Sequence, residues 1–146
     1  MKASMIALIT AGTVFMGCSQ KITPENLPSV VKNAVHSKFP AAQVVEWEKE
    51  GSLFEAEFAI GQTEYTALVD GTGNIVKSKQ ELTAADLPAE IAMTLKKDFQ
   101  AYLVEDVERV EQQGQVYFQV ELENNNEELK QVYTAAGTAA SVPFWD

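Results

Sequence analysis

The side chains with the most capacity for chemistry in this sequence are carboxylates. Glu46, Glu48, Glu55 and Glu57 alternate with apolar residues over two neighbouring segments, and Asp106, Glu108, Glu121 and Glu123 repeat the arrangement further along. Spacing of two sends all eight to one face of a sheet. Carboxylates gathered in this way can hold a cation, receive a cationic peptide or protein, or simply keep a sheet wet and non-adhesive. Val44, Leu53, Val104 and Tyr117 are expected on the same face. Apolar and aromatic spots among acids suit protein recognition. The plain alternative is a solvated face, which is what most charged faces are.

Other chemistry is sparse. His36 is the single histidine, falls off the apolar stripe of its helix and is expected in solvent, without the partners that catalysis or a metal site requires. The chain has no Gly-rich phosphate loop, nucleophile elbow or HExxH motif. Asp70-Gly71-Thr72-Gly73-Asn74 opens like a calcium loop, but it lacks the further acids and the distal glutamate and reads as a hairpin turn. No nucleophile, base and orienting group can be placed together. The expectation is a non-enzyme with no catalytic residue, no metal and no cofactor.

Charge narrows the partners. Twenty-one acidic against 11 basic side chains leave a formal net charge of −10. Nucleic acids and anionic membrane surfaces both demand a basic footprint, so both are excluded as partners of the body. A cationic protein or peptide is admitted. The start of the chain has its own logic. Met1-Lys2 is followed by the nearly unbroken apolar run 5–16, then Gly17-Cys18, then polar Ser19-Gln20-Lys21. This is the layout of a secretory leader, too short for a stable membrane span. It resembles a bacterial lipoprotein leader, with Cys18 as the lipidated residue, although Phe15 and Met16 stand where leucine and a small residue are preferred. Cys18 is the one cysteine, so no internal disulfide forms. Loss of residues 1–17 removes Lys2 and no acid, taking the charge from −10 to −11. The expected organisation is a signal peptide over 1–17, a short linker over 18–22 and one domain over 23–146.

The elements that must position the carboxylates come in two copies. An offset of 60 carries Leu27-Pro28 onto Leu87-Pro88, Val31 onto Ile91, Val35 onto Leu95, Phe39 onto Phe99, Glu46 onto Asp106 and Glu48 onto Glu108. After the next turn an offset of 64 carries Phe54 onto Phe118, Ala56 onto Val120, Phe58 onto Leu122 and Gly73 onto Gly137. Internal repetition of this kind marks a duplicated unit, here 23–82 and 83–146. Each copy opens with an apolar stripe at spacing four, expected as a helix with proline in its first turn and with Thr23 or Thr83 suited to capping its start. Strands follow at 43–49, 54–60, 65–69 and 74–79, joined by Gly-bearing turns. Trp47 should point at the helices as a core anchor. Phe144 and Trp145, after Pro143, should seal a sheet edge or a core gap. One unit of about sixty residues is marginal alone. Two joined units make an α+β fold, with one eight-stranded antiparallel sheet and both helices on one face.

Tandem Leu-Pro helices, each followed by an antiparallel meander, together with Asp70-Gly71-Thr72-Gly73 and the lipoprotein-like leader, resemble the PepSY-like family, also described as β-lactamase-inhibitor-like. The resemblance spans about residues 23–142. The second copy departs from it, because Thr134-Ala135-Ala136-Gly137 replaces the Asp-Gly turn. The resemblance implies a curved sheet, a periplasmic setting with a lipid anchor at the outer membrane as the only membrane contact, and recognition of a protein through the sheet face. No contact residue carries over from it. The expected function is a non-enzymatic envelope binding module that inhibits or sequesters a protein or peptide partner. Glu46, Glu48, Leu53, Glu55, Glu57, Asp106, Glu108, Tyr117 and Glu121 form its candidate face. The alternatives are a small-ligand or cation binder and a purely structural lipoprotein.

Overall fold

The computed structural model describes residues 19–146; the leader and the lipidation candidate Cys18 lie outside them. Eight strands form one antiparallel sheet in which every strand pairs with its neighbour in sequence. They are β1 (Gln20–Lys21), β2 (Gln43–Glu50), β3 (Leu53–Ile60), β4 (Thr63–Asp70), β5 (Ile75–Leu82), β6 (Leu103–Gln112), β7 (Gln115–Glu123) and β8 (Glu128–Thr134). Two ten-residue helices, α1 (Ser29–Lys38) and α2 (Ala89–Asp98), cover the same side of it. Among the described residues no helix is long and apolar enough to cross a membrane.

The first copy supplies β2 to β5 and the second β6 to β8. The eighth strand is β1, formed from residues expected as a linker, with Ile22 N–H donating to the Trp47 carbonyl just beyond it. In the second copy the fourth strand shrinks to a single bridge between Tyr133 and Ala139, and the last main-chain bond to the sheet runs from Ala140 N–H to the Val132 carbonyl. The helices are shorter than their apolar stripes. Leu27 and Phe39 flank α1 rather than belonging to it, and Thr83 caps a preceding 3-10 turn (Ala84–Asp86) instead of α2. Proline at the N-cap contributes to the late start, because it disfavours helical backbone at the residue before it, and Leu27 and Leu87 are both extended.

Each copy builds its own helix-side core. Val31, Val35, Trp47, Phe54, Ala56, Phe58, Ala67 and Val69 make the first; Ile91, Leu95, Val107, Phe118, Val120, Leu122 and Tyr133 make the second. The indole of Trp47 fits because the next two positions in its row across the sheet are the fully buried Ala56 and Ala67. The equivalent second-copy pair is Val107 opposite Val120. Volume is thus traded across strands, as dense packing requires.

Each helix is seated on a glycine. A Cβ on Gly73 would stand 2.9 Å from the Val30 carbonyl oxygen, and one on Gly137 would stand 2.8 Å from that of Glu90. Both glycines also have positive φ, +89° and +77°. The turns share their hydrogen bonds: Gly73 N–H to the Asp70 carbonyl and Asp70 N–H to the Asn74 carbonyl, against Gly137 N–H to Thr134 and Thr134 N–H to Thr138. The second turn keeps this form without the aspartate.

Two stability outcomes follow. Trp47→Ala is expected to cost about 3–5 kcal/mol in urea unfolding. Gly73→Ala and Gly137→Ala should each cost more than Gly61→Ala, which shares the positive φ but meets no atom within 4 Å. Equal losses at all three would mean that the helix contact carries no weight.

Candidate functional site

The helices leave the other face of the sheet uncovered, and the strand register assembles it row by row. Glu46 lies opposite Glu57 and Glu48 opposite Glu55, so the four acids of the first copy form one cluster on β2 and β3. Asp106 lies opposite Glu121 on β6 and β7, and Glu123 follows two residues on, opposite Glu128 of β8. The acids therefore stand as two wings, with Glu64 of β4 and Glu81 of β5 between them at one end of the face. Burial pushes the Glu55 carboxyl above its usual range, with Glu57 and Glu50 adding repulsion. Glu121 is raised as well, chiefly by a hydrogen bond shared with Glu128. In both places the ionised form is disfavoured.

Between the wings runs a strip that the acid pattern did not reveal. Leu68, Lys77, Lys79, Val110 and Gln119 project there from β4 to β7, and Leu53 and Tyr117 border it. The segment 143–146 lies across this strip. Trp145 is buried against Leu68 and Val110, forming a third apolar cluster on the face opposite both helices. It covers no sheet edge, and the core it completes lies on the open face rather than beneath the helices. Its ring centroid is 4.0 Å from the Lys77 ammonium and 5.1 Å from that of Lys79. Gln119 accepts from the Trp145 N–H at 2.7 Å and donates to the Trp145 carbonyl at 2.9 Å. The same amide nitrogen donates to Glu108 at 2.8 Å, and Glu108 pairs with Lys79 at 2.8 Å. Burial pushes the Lys77 ammonium below its usual range. Lys77 and Lys79 had a legible signal, alternating with Ser78 along a strand, but Trp145 had none, because nothing local to residues 143–146 says which strands they lie against.

Of the candidate residues, Glu46, Glu48, Glu55, Glu57, Asp106 and Glu121 stand on the wings, and Leu53 and Tyr117 border the strip. Glu108 is on the face but engaged beneath the tail. Val104 is not on it. A bulge between Val104 and Asp106 places Val104 opposite Leu122 and packs it in the helix-side core. An equivalent bulge interrupts β2 between Gln43 and Glu46, and the Val44 side chain lies outside what the structure describes. His36 is exposed. Asp70 spends its carboxylate on its own turn, accepting from the Thr72 N–H and hydroxyl and from the Asn74 N–H and side chain, which holds it well below the usual carboxylate range. Among the described residues no three His, Cys, Asp or Glu side chains group as a metal site.

A second concavity lies on the helix side. An apolar groove of about 550 Å³ is walled by Leu87, Leu95, Phe99, Tyr102, Val104 and Leu122. In the first copy the equivalent space holds rings: Phe58 stacks on Tyr65 at 5.6 Å and packs against Phe39. The second copy has Leu122 and Leu129 at those positions, and the smaller side chains leave the groove open.

No family model and no curated protein sequence matches the chain. Solved structures do. A DUF2874 family protein from Bacteroides uniformis ATCC 8492 superposes with TM-score 0.72 at 20% identity, over 77% of this chain and 85% of that one. A BLIP-like protein from Bacteroides fragilis NCTC 9343 gives 0.71 at 19%, over 78% and 83%. A predicted periplasmic protein from Bacteroides eggerthii DSM 20697 gives 0.73 at 17%, over 77% and 85%. The fold is BLIP-like. The expected α+β architecture, one antiparallel sheet under two helices, is the one observed.

The raised Glu55 has a definite pH consequence. Its folded form holds a proton more readily than the unfolded chain does, so ionised Glu55 costs stability at neutral pH. That cost is relieved as pH falls through the raised folded value towards the unfolded value near about 4.3. Glu55→Gln is expected to stabilise the protein at pH 7 and to lose that advantage by about pH 4, read by urea unfolding at both values.

Proposed function

We propose that this protein is a non-enzymatic binding module of the bacterial envelope that engages a protein or peptide partner through its open sheet face. The observation that carries the reading is the face itself: two clusters of like-charged carboxylates around a strip lined by Leu68, Val110 and Tyr117. Like charges directly opposite on paired strands cost stability, and a cationic partner would relieve that cost. Charge complementarity of this kind steers encounter and selects partners. Support also comes from the BLIP-like and predicted periplasmic proteins that share the fold, and from the leader-like start of the sequence. A PepSY-like kinship, inhibition or sequestration of an envelope enzyme, and anchoring to the outer membrane through lipid on Cys18 complete the proposal.

The test is capture from an envelope extract by residues 19–146, compared with a variant carrying lysine at Glu46, Glu57, Asp106 and Glu121. A salt-sensitive partner should be held by the native face and lost by about tenfold or more from the variant. Undiminished capture by the folded variant would overturn the assignment of the face.

One observation favours a second reading, a small apolar ligand in the groove beside α2, because an open apolar concavity of this size is the usual form of such sites. Leu122→Phe, which restores the ring found in the first copy, should then abolish a ligand-induced rise in melting temperature.

A further inference from the structure

The strip at the centre of the open face is built around a peptide. Gln119, only 2% exposed, gives both ends of its amide to one residue's main chain, the N–H and the carbonyl of Trp145. That is recognition of a peptide unit irrespective of its side chain. The side chain is read separately, by Leu68 and Val110 on the apolar side and by two ammonium groups at the ring. A buried amide and a half-buried Lys77 are costly without partners, and here the tail supplies them. Its neighbours are held at the surface: Phe144 lies under the Lys130 ammonium, and Asp146, which pairs with the same ammonium, is exposed. Beside the indole a groove of about 410 Å³ continues between Glu48, Glu55, Lys77 and Phe144, so the site extends beyond its present occupant.

We propose that the centre of the open face is a docking site for an extended, basic peptide segment carrying a tryptophan, and that residues 143–146 occupy it in cis as a displaceable competitor. The inference rests on the reading of this face as the binding surface and names what that surface takes. The indole pocket selects the tryptophan. The carboxylates of the adjoining groove, Glu48 and Glu55, favour basic residues beside the tryptophan, and Pro143-Phe144-Trp145-Asp146 brings none to them; its one carboxylate, Asp146, is held by Lys130. A tethered occupant competes at a high effective concentration, so the intact chain should bind a free segment weakly until a better-charged one displaces the tail.

The experiment titrates two labelled peptides, Lys-Pro-Phe-Trp-Lys and Lys-Pro-Phe-Ala-Lys, against the full chain and against Trp145→Ala. The tryptophan peptide is expected to bind Trp145→Ala at least about tenfold more tightly than it binds the native chain. It should also exceed the alanine peptide by a similar factor. A folded Trp145→Ala that binds neither peptide, or both alike, overturns the proposal. Hydrogen exchange on the native chain keeps it falsifiable should that variant not fold. The Trp145 amide is expected to exchange at least about a hundredfold faster than that of Val120, by local release of the tail. Exchange at the same rate, through global unfolding alone, overturns displacement. Peptide binding without any captured partner would fail the envelope reading and leave the pocket standing. Partner capture that is lost on charge reversal, without peptide binding, would do the reverse.

Discussion

The close approach of each helix to the turn at the end of its meander is the contact on which the architecture depends. Main chain meets main chain there, with the Val30 and Glu90 carbonyls lying where a side chain on Gly73 or Gly137 would have to be. That contact sets the height and direction of the helix over the sheet, and from it follows which strand residues are covered. Val31 and Val35, or Ile91 and Leu95, then reach the sheet at positions that alternate strictly with the carboxylates. The uncovered face is thus decided by a packing event on the covered one. Both units keep the contact, although the second turn has no aspartate.

The two copies have diverged where packing allowed. In the first, an indole over two alanines and a cluster of three rings fill the space beneath α1. In the second, valines and leucines occupy the same register and leave a groove. The copies are also joined on the helix side, where the Lys38 ammonium at the end of α1 donates to Glu111 of β6 at 2.8 Å and holds that carboxyl below its usual range. Strands β5 and β6 pair over six registered residues. Neither half presents a complete sheet by itself.

The repeat, the helix-sheet alternation and the face of most carboxylates were legible because they rest on local periodicity and on a copy of themselves. Tyr117 and Leu53 reach the face their alternation implies. Val104 does not, because a single extra residue in β6 reverses the alternation beyond it, and nothing in the letters Leu103-Val104-Glu105-Asp106 marks a bulge. Thr83 was legible as a cap but not as the cap of a separate 3-10 turn. The central strip was the least legible part. It depends on Trp145 meeting Leu68, Val110 and Gln119, residues distant in sequence whose proximity follows from sheet order and not from spacing.

The two-residue strand β1 bears on how the protein would sit at a surface. It pairs with the outer edge of the sheet immediately after Ser19, so only one residue lies between Cys18 and the first strand. A lipid on Cys18 would therefore hold the β1–β2 edge against the bilayer with almost no slack. Seven inter-strand spacings would place β8 on the order of 30 Å away. The sheet would stand on its edge like a blade, its open face turned sideways along the membrane plane, where neighbouring proteins diffuse past it.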